Sequence, residues 1–252
     1  MSDVVANMEA LVLAAGFGKR LASVSAGKPK PLIEVGGRPI IDWNLELLAR
    51  CGFRKVFVNL HYEAEQLKAH LGDGSRWGLE IECLYEPVIL GTGGAVKNIE
   101  TRFSGAQLLT INSDILLGAD FPLRDVLAKH LGDARNPLAT LVLRPFSVGE
   151  GDFTDIGIDC RAGRISRLLS GDLKGCDVVG GYMYVGVAVL ARPIFSYMPP
   201  VGIFFGLADY TFAKVLDSGG WLSYYIYSGY FNDVGTPKRL DKARDDAKNF
   251  SN

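Results

Sequence analysis

A surplus of charge of either sign is missing from this chain. Across 252 residues, 27 lysines and arginines stand against 28 aspartates and glutamates, a formal net charge of −1. This excludes the broad electropositive field by which proteins hold nucleic acid or anionic membranes, so a basic residue that acts must act locally. Cysteine and histidine are scarce, at four and three. Cys51, Cys83, Cys160 and Cys176 lie far apart, with no C-x-x-C pair and no histidine at ligand spacing. That argues against zinc frameworks and disulfides and for reduced, partly buried thiols. Long apolar runs are also lacking: the most apolar stretch, Gly181 to Phe195, contains Arg192 and Pro193 and is too short to span a bilayer. Residues 1–8 carry Asp3 and no lysine or arginine, unlike a secretory leader. The expectation is a soluble, cytoplasmic protein with neither nucleic acid nor membrane as partner. No Ser–His or Cys–His pair is evident at His61, His70 or His130, which read as ordinary surface or helix histidines.

Apolar residues, at 48%, suffice for one large core. Short apolar runs (Ala10–Ala14, Lys55–Leu60, Leu79–Tyr85, Gln107–Asn112, Ala139–Leu143) alternate with amphipathic segments. Pro39 opens a helix whose Ile40, Trp43, Leu47, Leu48 and Cys51 share one face, and Gly52 stands where a left-handed cap is expected. A second helix, Glu63 to Leu71, is expected to end at Gly72 in the same way. Such alternation predicts a mostly parallel sheet covered on both faces. After Pro145 the rhythm changes: Asp155–Asp159, Arg164–Leu169 and Val178–Val189 read as strands with short glycine-containing connections, and helices return near Leu207–Leu216 and Thr236–Lys248. With no linker, repeat or low-complexity tract, residues 1–252 read as one domain.

The strongest local signal follows the first strand: Leu13-Ala14-Ala15-Gly16-Phe17-Gly18-Lys19-Arg20-Leu21. Glycine permits positive φ and lets backbone N–H groups approach a ligand, and loops beyond the carboxyl ends of parallel strands are where ligands bind. An anion is the natural guest. The dinucleotide fingerprint fails because Leu21 takes the third glycine position, and no G-x-x-x-x-G-K-[ST] occurs. Further on, Lys28-Pro29-Lys30-Pro31 holds a lysine between two prolines, so its direction is set in advance. Arg20 suits forked contact with phosphate, and Lys30 a point-charge contact.

These two segments resemble the signature of the sugar-1-phosphate nucleotidylyltransferases, L-A-[AG]-G-x-G-x-R-L followed by P-K-P-L. The resemblance covers nearly the whole chain. It implies a three-layer α/β/α Rossmann-like fold with a mixed, mostly parallel central sheet. A nucleotide-binding half would occupy about 8–145 and a sugar-phosphate-binding half about 146–252. Asp114, ending Leu109-Thr110-Ile111-Asn112-Ser113-Asp114, falls at the family's N-G-D aspartate, and Asp233 at its D-[VI]-G-T-P. Each alone reads as a cap or turn residue. By resemblance the two come together and hold Mg²⁺, with Arg20 and Lys30 completing the catalytic set.

Glu86-Pro87-Val88-Ile89-Leu90-Gly91-Thr92 resembles the segment along base and ribose. Glu86, Gly91 and Thr92 thus join Leu13, Ala14, Ala15, Gly16, Phe17, Gly18 and Lys19 in the nucleotide-binding set. The bland reading there is a glycine-rich helix start with a solvent-exposed glutamate. Gly180-Gly181-Tyr182-Met183-Tyr184 resembles the strand lining the sugar pocket, which places Gly181 and Tyr182, with Asn112, on the sugar phosphate. Two departures stand out. Ser23-Val24-Ser25 replaces P-L-T, and the usual E-K-P is missing, leaving Lys174 or Arg167 to grip the sugar phosphate.

The implied substrates are a nucleoside triphosphate and a sugar 1-phosphate, leaning to GTP and a manno-configured heptose or mannose. N-acetylmuramate or glucose 1-phosphate with a uridine nucleotide is the alternative. The implied product is a nucleotide sugar for cell-envelope polysaccharide; a homo-oligomer is compatible with all of this. Two readings from other classes stay open: a nicotinamide-dependent enzyme, and a catalytically silent nucleotide-sugar-binding relative.

Overall fold

A computed structural model of the protein describes residues 5, 7–145, 155–168 and 178–248. They gather into two compact units: Met1–Ile89, Ile111–Phe121 and Gly229–Asn252 in the first, Leu90–Thr110 and Pro122–Ser228 in the second. The units are interleaved, the chain crossing between them four times. Among the described residues, no helix is long and apolar enough to cross a membrane.

The first unit opens with β1 (Glu9–Leu13), a small hairpin of β2 (Glu34–Val35) and β3 (Arg38–Pro39), and helix α1 (Ile40–Cys51). β4 (Lys55–Leu60), α2 (Ala64–Leu71) and β5 (Glu80–Tyr85) follow. β1 and β5 flank β4, both parallel to it, with Leu11 beside Phe57 and Phe57 beside Glu82. Nearly every residue of β1 and β4 is buried, as continuous apolar runs in parallel sheets require. The α1 face forms as the periodicity predicts, with Trp43 half-buried at its margin and Asn44 buried beside it. Gly52 closes the helix at φ 102°, a left-handed conformation, its N–H reaching the Leu48 and Ala49 carbonyls. α2 ends differently from expectation. Gly72 has φ 56° but ψ −139°, outside the left-handed helical region, and its N–H bonds only one turn back to Lys68.

The second unit begins with α3 (Gly91–Asn98) and β6 (Gln107–Asn112). The last two residues of β6 belong to the first unit, where β7 (Ile115–Leu117) follows. The second unit resumes with α4 (Leu123–Gly132), β8 (Ala139–Pro145), β9 (Ile156–Asp159), β10 (Arg164–Leu168) and the long β11 (Val178–Ala191). β11 pairs antiparallel with both β8 and β9, and β9 with β10. The expected change after Pro145 is therefore a change from parallel to antiparallel pairing. Leu169, the last residue of one expected strand, lies outside the described residues. The helix expected over Leu207–Leu216 comes in two pieces, a π-helical turn at Leu207–Phe212 and α5 (Ala213–Asp217). β12 (Leu222–Ile226) then runs parallel to β8.

The chain closes in the first unit with β13 (Phe231–Asp233) and α6 (Pro237–Ala247). Thr236 caps α6, its hydroxyl accepting the Arg239 N–H at 3.3 Å, and Pro237 takes the first helical position. Leu240, Ala243 and Ala247 bury the inner face of α6 against Leu21, Ile33, Val35, Ile40, Leu116 and Val234. This core ties the glycine-rich loop, the Pro-Lys-Pro segment, β7 and the chain end into one body.

Candidate functional site

The loop after β1 is built from contrasts in burial. Ala14 and Ala15 are buried, while Gly16 and Phe17 are exposed. The Ala14 N–H donates to Asn59 Oδ1 at 2.7 Å. Gly18 adopts φ 61°, ψ 21°, and a Cβ there would sit 3.1 Å from Lys30 Cβ. Glycine thus serves both the left-handed turn and the close approach of Lys30. A short 3₁₀ turn follows, Lys19–Leu21, with Leu21 buried as its anchor and Lys19 and Arg20 exposed. The Lys19 ammonium lies 5.1 Å from the centre of the Phe17 ring. Leu13, the last residue of β1, accepts the Ser113 N–H at 3.0 Å, which sets the turn after β6 beside this loop.

Asp114 sits in that turn. Two three-residue strands then bring the distant acid to it: β13 pairs antiparallel with β7, Asp233 standing opposite Ile115. The Val234 N–H donates to the Asp114 carbonyl at 3.0 Å. Lys30 opens a second 3₁₀ turn, Lys30–Leu32, with Pro29 extended before it at ψ 148°. Its ammonium donates to Asp114 Oδ2 and lies 3.9 Å from Asp233 Oδ1. Arg239 Nη1 donates to Asp233 Oδ2 at 2.8 Å. At Gly235 a Cβ would come 3.0 Å from Arg20 Nη2 and 2.8 Å from Asp233 Oδ1, so the absent side chain leaves room for that cation and that carboxylate. Burial, then repulsion from Asp114, pushes the Asp233 carboxyl above its usual range; Lys30, Arg239 and Arg20 pull it back. The cluster holds three cations against two carboxylates.

Arg20, Lys30, Asp114 and Asp233 therefore meet beside residues 13–19, all within the first unit. Asn112 is half-buried at the end of β6, its carbonyl accepting from Asn44 Nδ2 at 3.3 Å. Glu86 is 1% exposed, which removes the solvent-exposed alternative. Its carboxylate accepts from Asn59 Nδ2 at 2.9 Å, and its carbonyl lies 2.7 Å from His61 Nδ1.

Gly91 and Thr92 belong to the second unit, where Thr92 Oγ1 accepts the Leu207 N–H at 2.8 Å and the Gly93 N–H donates to Phe205 O at 3.0 Å. Gly181 and Tyr182 are also in the second unit. Gly181 has φ 88° and its N–H donates to Asp155 Oδ1 at 2.7 Å. Arg167, one candidate for the missing lysine, is paired with Asp155 at 2.6 Å. Lys174, the other, lies outside the described residues, as does Cys176.

Three site-forming residues escaped sequence reasoning. Asn44 donates to the carbonyls of Asn112 and Ile115, each at 3.3 Å, bracketing the turn that carries Asp114. Asn59 joins the Ala14 amide to Glu86. Arg239 grips Asp233. Each interrupts a pattern: an amide within α1's apolar face, an amide inside Val-Phe-Val-Asn-Leu, and a cation in the first turn after Thr-Pro. The Gly72–Leu79 run, by contrast, is a structural turn. Asp73 Oδ1 accepts the Ser75 N–H at 2.9 Å, and a Cβ on Gly74 would strike the Leu79 carbonyl at 2.8 Å.

Fold and site together define a class: a Rossmann-like α/β protein whose glycine loop, cations and paired carboxylates gather at the carboxyl ends of β1 and β6. The chain belongs to the nucleotidyl transferase family, an enzyme family whose sequence model matches residues 9–150. It is 34% identical over 148 residues, 58% of this chain and 64% of the relative, to the N-acetylmuramate alpha-1-phosphate uridylyltransferase of Neisseria meningitidis serogroup B. It is 28% identical over 243 residues to the D-glycero-alpha-D-manno-heptose 1-phosphate guanylyltransferase of Aneurinibacillus thermoaerophilus, covering 96% of this chain and 100% of that one. The structure of HddC from Yersinia pseudotuberculosis complexed with GMP-PN has the same fold, with a TM-score of 0.74 at 21% identity over 94% of this chain and 98% of that one. The chain spans 62–64% of the length of several curated relatives, the Neisseria protein among them.

Proposed function

We propose that the protein joins a nucleoside triphosphate to a sugar 1-phosphate and releases pyrophosphate. The observation that carries this reading is the cluster of Arg20, Lys30, Arg239, Asp114 and Asp233 beside the glycine turn, where three cations face two carboxylates. A site with that balance suits polyphosphate. In the reaction an oxygen of the sugar 1-phosphate attacks the α-phosphorus. The bond from that phosphorus to the pyrophosphate oxygen breaks, and its electron pair leaves with pyrophosphate. A phosphate monoester dianion is already a nucleophile, so positioning and charge neutralisation dominate.

The exposed guanidinium of Arg20 stabilises charge gathering on the leaving pyrophosphate. Lys30, its backbone fixed between two prolines, steadies the α-phosphate and the incoming phosphate. Within the first unit, backbone N–H groups of the loop from Ala15 to Gly18 approach the triphosphate, Glu86 serves the base and ribose, and Asn112 serves the sugar phosphate.

The residues present fit Mg²⁺. That ion favours one or two carboxylates, with substrate phosphates and water filling its remaining positions. Asp114 and Asp233 supply such a pair, and their mutual repulsion is what a divalent cation relieves. When bound, Mg²⁺ would supply neutralising charge for the phosphate oxygens.

GTP and a manno-configured heptose or mannose 1-phosphate are the substrates favoured, because the heptose guanylyltransferase aligns along its whole length. A uridine nucleotide with N-acetylmuramate or glucose 1-phosphate is the second reading, favoured by the higher identity of the Neisseria relative over a shorter share. Pyrophosphate release from each NTP against a panel of sugar 1-phosphates, with and without Mg²⁺, decides between them. No release with any pair would end the proposal.

A further inference from the structure

The geometry points to Arg239 as a positioning residue that pins one oxygen of Asp233 and so limits what that carboxylate offers a divalent cation. This deepens the nucleotidyl-transfer reading and rests on it. Arg239 Nη1 holds Asp233 Oδ2 at 2.8 Å, while Oδ1 faces the Lys30 ammonium at 3.9 Å. The two oxygens are thus assigned different partners. Oδ2 is turned to α6, and Oδ1 is turned to the side on which Asp114 accepts from the same lysine.

The backbone that carries the guanidinium is itself well anchored. Arg239 stands in the first turn of α6, its N–H on the Thr236 hydroxyl and its carbonyl accepting from Asn232 Nδ2 at 3.2 Å. Asn232 immediately precedes Asp233, so the backbone on both sides of the ion pair is cross-linked. A carboxylate with one oxygen committed in this way can give a cation one oxygen in a fixed direction, which suits an ion that demands near-octahedral geometry. The nearby positive charge also lowers the site's intrinsic attraction for a free cation. Arg239 therefore trades metal affinity for orientation: the bare site takes up metal weakly, and the negative triphosphate supplies what is lacking.

This predicts opposite changes in two quantities that ordinary structural damage moves together. The test is Mn²⁺ binding to the full chain without nucleotide, read by the electron paramagnetic resonance of free Mn²⁺, alongside kcat and KM. Arg239→Met should bind Mn²⁺ about three- to tenfold more tightly, with kcat reduced and KM little changed. Arg239→Lys should return Mn²⁺ affinity close to wild type, since the charge is kept, yet recover only part of kcat, since the guanidinium geometry is lost. Arg239→Gln serves as a second neutral variant should Arg239→Met fail to fold.

Unchanged or weaker Mn²⁺ binding in folded neutral variants would overturn the inference, as would a wild-type chain that binds no Mn²⁺. Because this readout needs no substrate, a wild type that binds Mn²⁺ but releases no pyrophosphate would sink the activity reading alone, and the variants' affinities would still decide the role of Arg239.

Discussion

Asn59 and Glu86 form a buried pair that supports the glycine loop from beneath. Asn59 Nδ2 donates to Glu86 Oε1 at 2.9 Å while Asn59 Oδ1 accepts the Ala14 N–H at 2.7 Å. Replacing Asn59 by leucine removes a hydrogen-bond partner from a buried carboxyl group and from a buried amide. The expected cost is about 2–4 kcal/mol of stability, with a raised KM for the nucleotide because the loop loses its tether. Urea unfolding and steady-state kinetics check both. Asn59→Asp should be worse still, since it places two carboxylates in contact.

Arg20 touches the site from an exposed position, so its removal should spare the fold. Arg20→Ala is expected to lower turnover roughly 10²–10³-fold, the loss seen when one stabiliser of developing charge is deleted. Stopped assays of pyrophosphate release give the number. Unchanged turnover in a folded variant would remove Arg20 from the mechanism.

Asp233 is held ionised at a cost to the fold. Its folded pKa is raised by burial and by Asp114. Above the unfolded value the folded state must carry a disfavoured charge, and that penalty disappears as both states protonate in acid. Asp233→Asn should therefore raise the melting temperature at pH 7 while lowering turnover at least about 10²-fold. The stability gain should shrink as pH falls towards 4. A variant less stable than wild type at pH 7 would show that the pairs with Lys30 and Arg239 outweigh desolvation.

His130 supplies a separate pH dependence in the second unit. Its ring lies between Thr140 Oγ1 and Gln107 Oε1, each at 2.8 Å, and burial lowers its pKa to about 4. The unfolded chain binds a proton at this residue before the folded one does. Stability should thus fall as pH drops from about 6.5 to about 4, by about 3 kcal/mol in total. His130→Gln should flatten that part of the profile. Parallel slopes for the two proteins would refute it.

The elements most readable from sequence were those with a strong local period. Lys55–Leu60 and Gln107–Asn112 are strands over the residues expected, and α1 buries the face its spacing marks. α3 was legible only as a glycine-rich helix start, because Gly-Thr-Gly-Gly has poor propensity. It forms where the Gly93 and Gly94 amides meet the Phe205 carbonyl, and Gly91, at φ 72°, could carry no Cβ without striking that carbonyl at 2.5 Å. α4 carries only a weak start signal at Pro122. At the site, the four charged residues could be named in advance, but their meeting could not. It depends on β7 pairing with β13, and three-residue strands leave no periodic trace. The Asn44 and Asn59 contacts were hidden because their partners are distant in sequence, and the Arg239–Asp233 pair because it closes across the Gly-Thr-Pro turn, whose course sequence alone does not set.

The crossings of the chain between its two units bear on the order in which a nascent polypeptide can become competent. Asp233 and Arg239 reside in the third and last segment of the first unit, and β7 has no β13 to pair with until that segment emerges. During synthesis the loop, Lys30 and Asp114 leave the ribosome long before their final acidic neighbour. Lys30 and Asp114 can neutralise each other in the interval, and the charged cluster closes only once residues 229–239 have been translated.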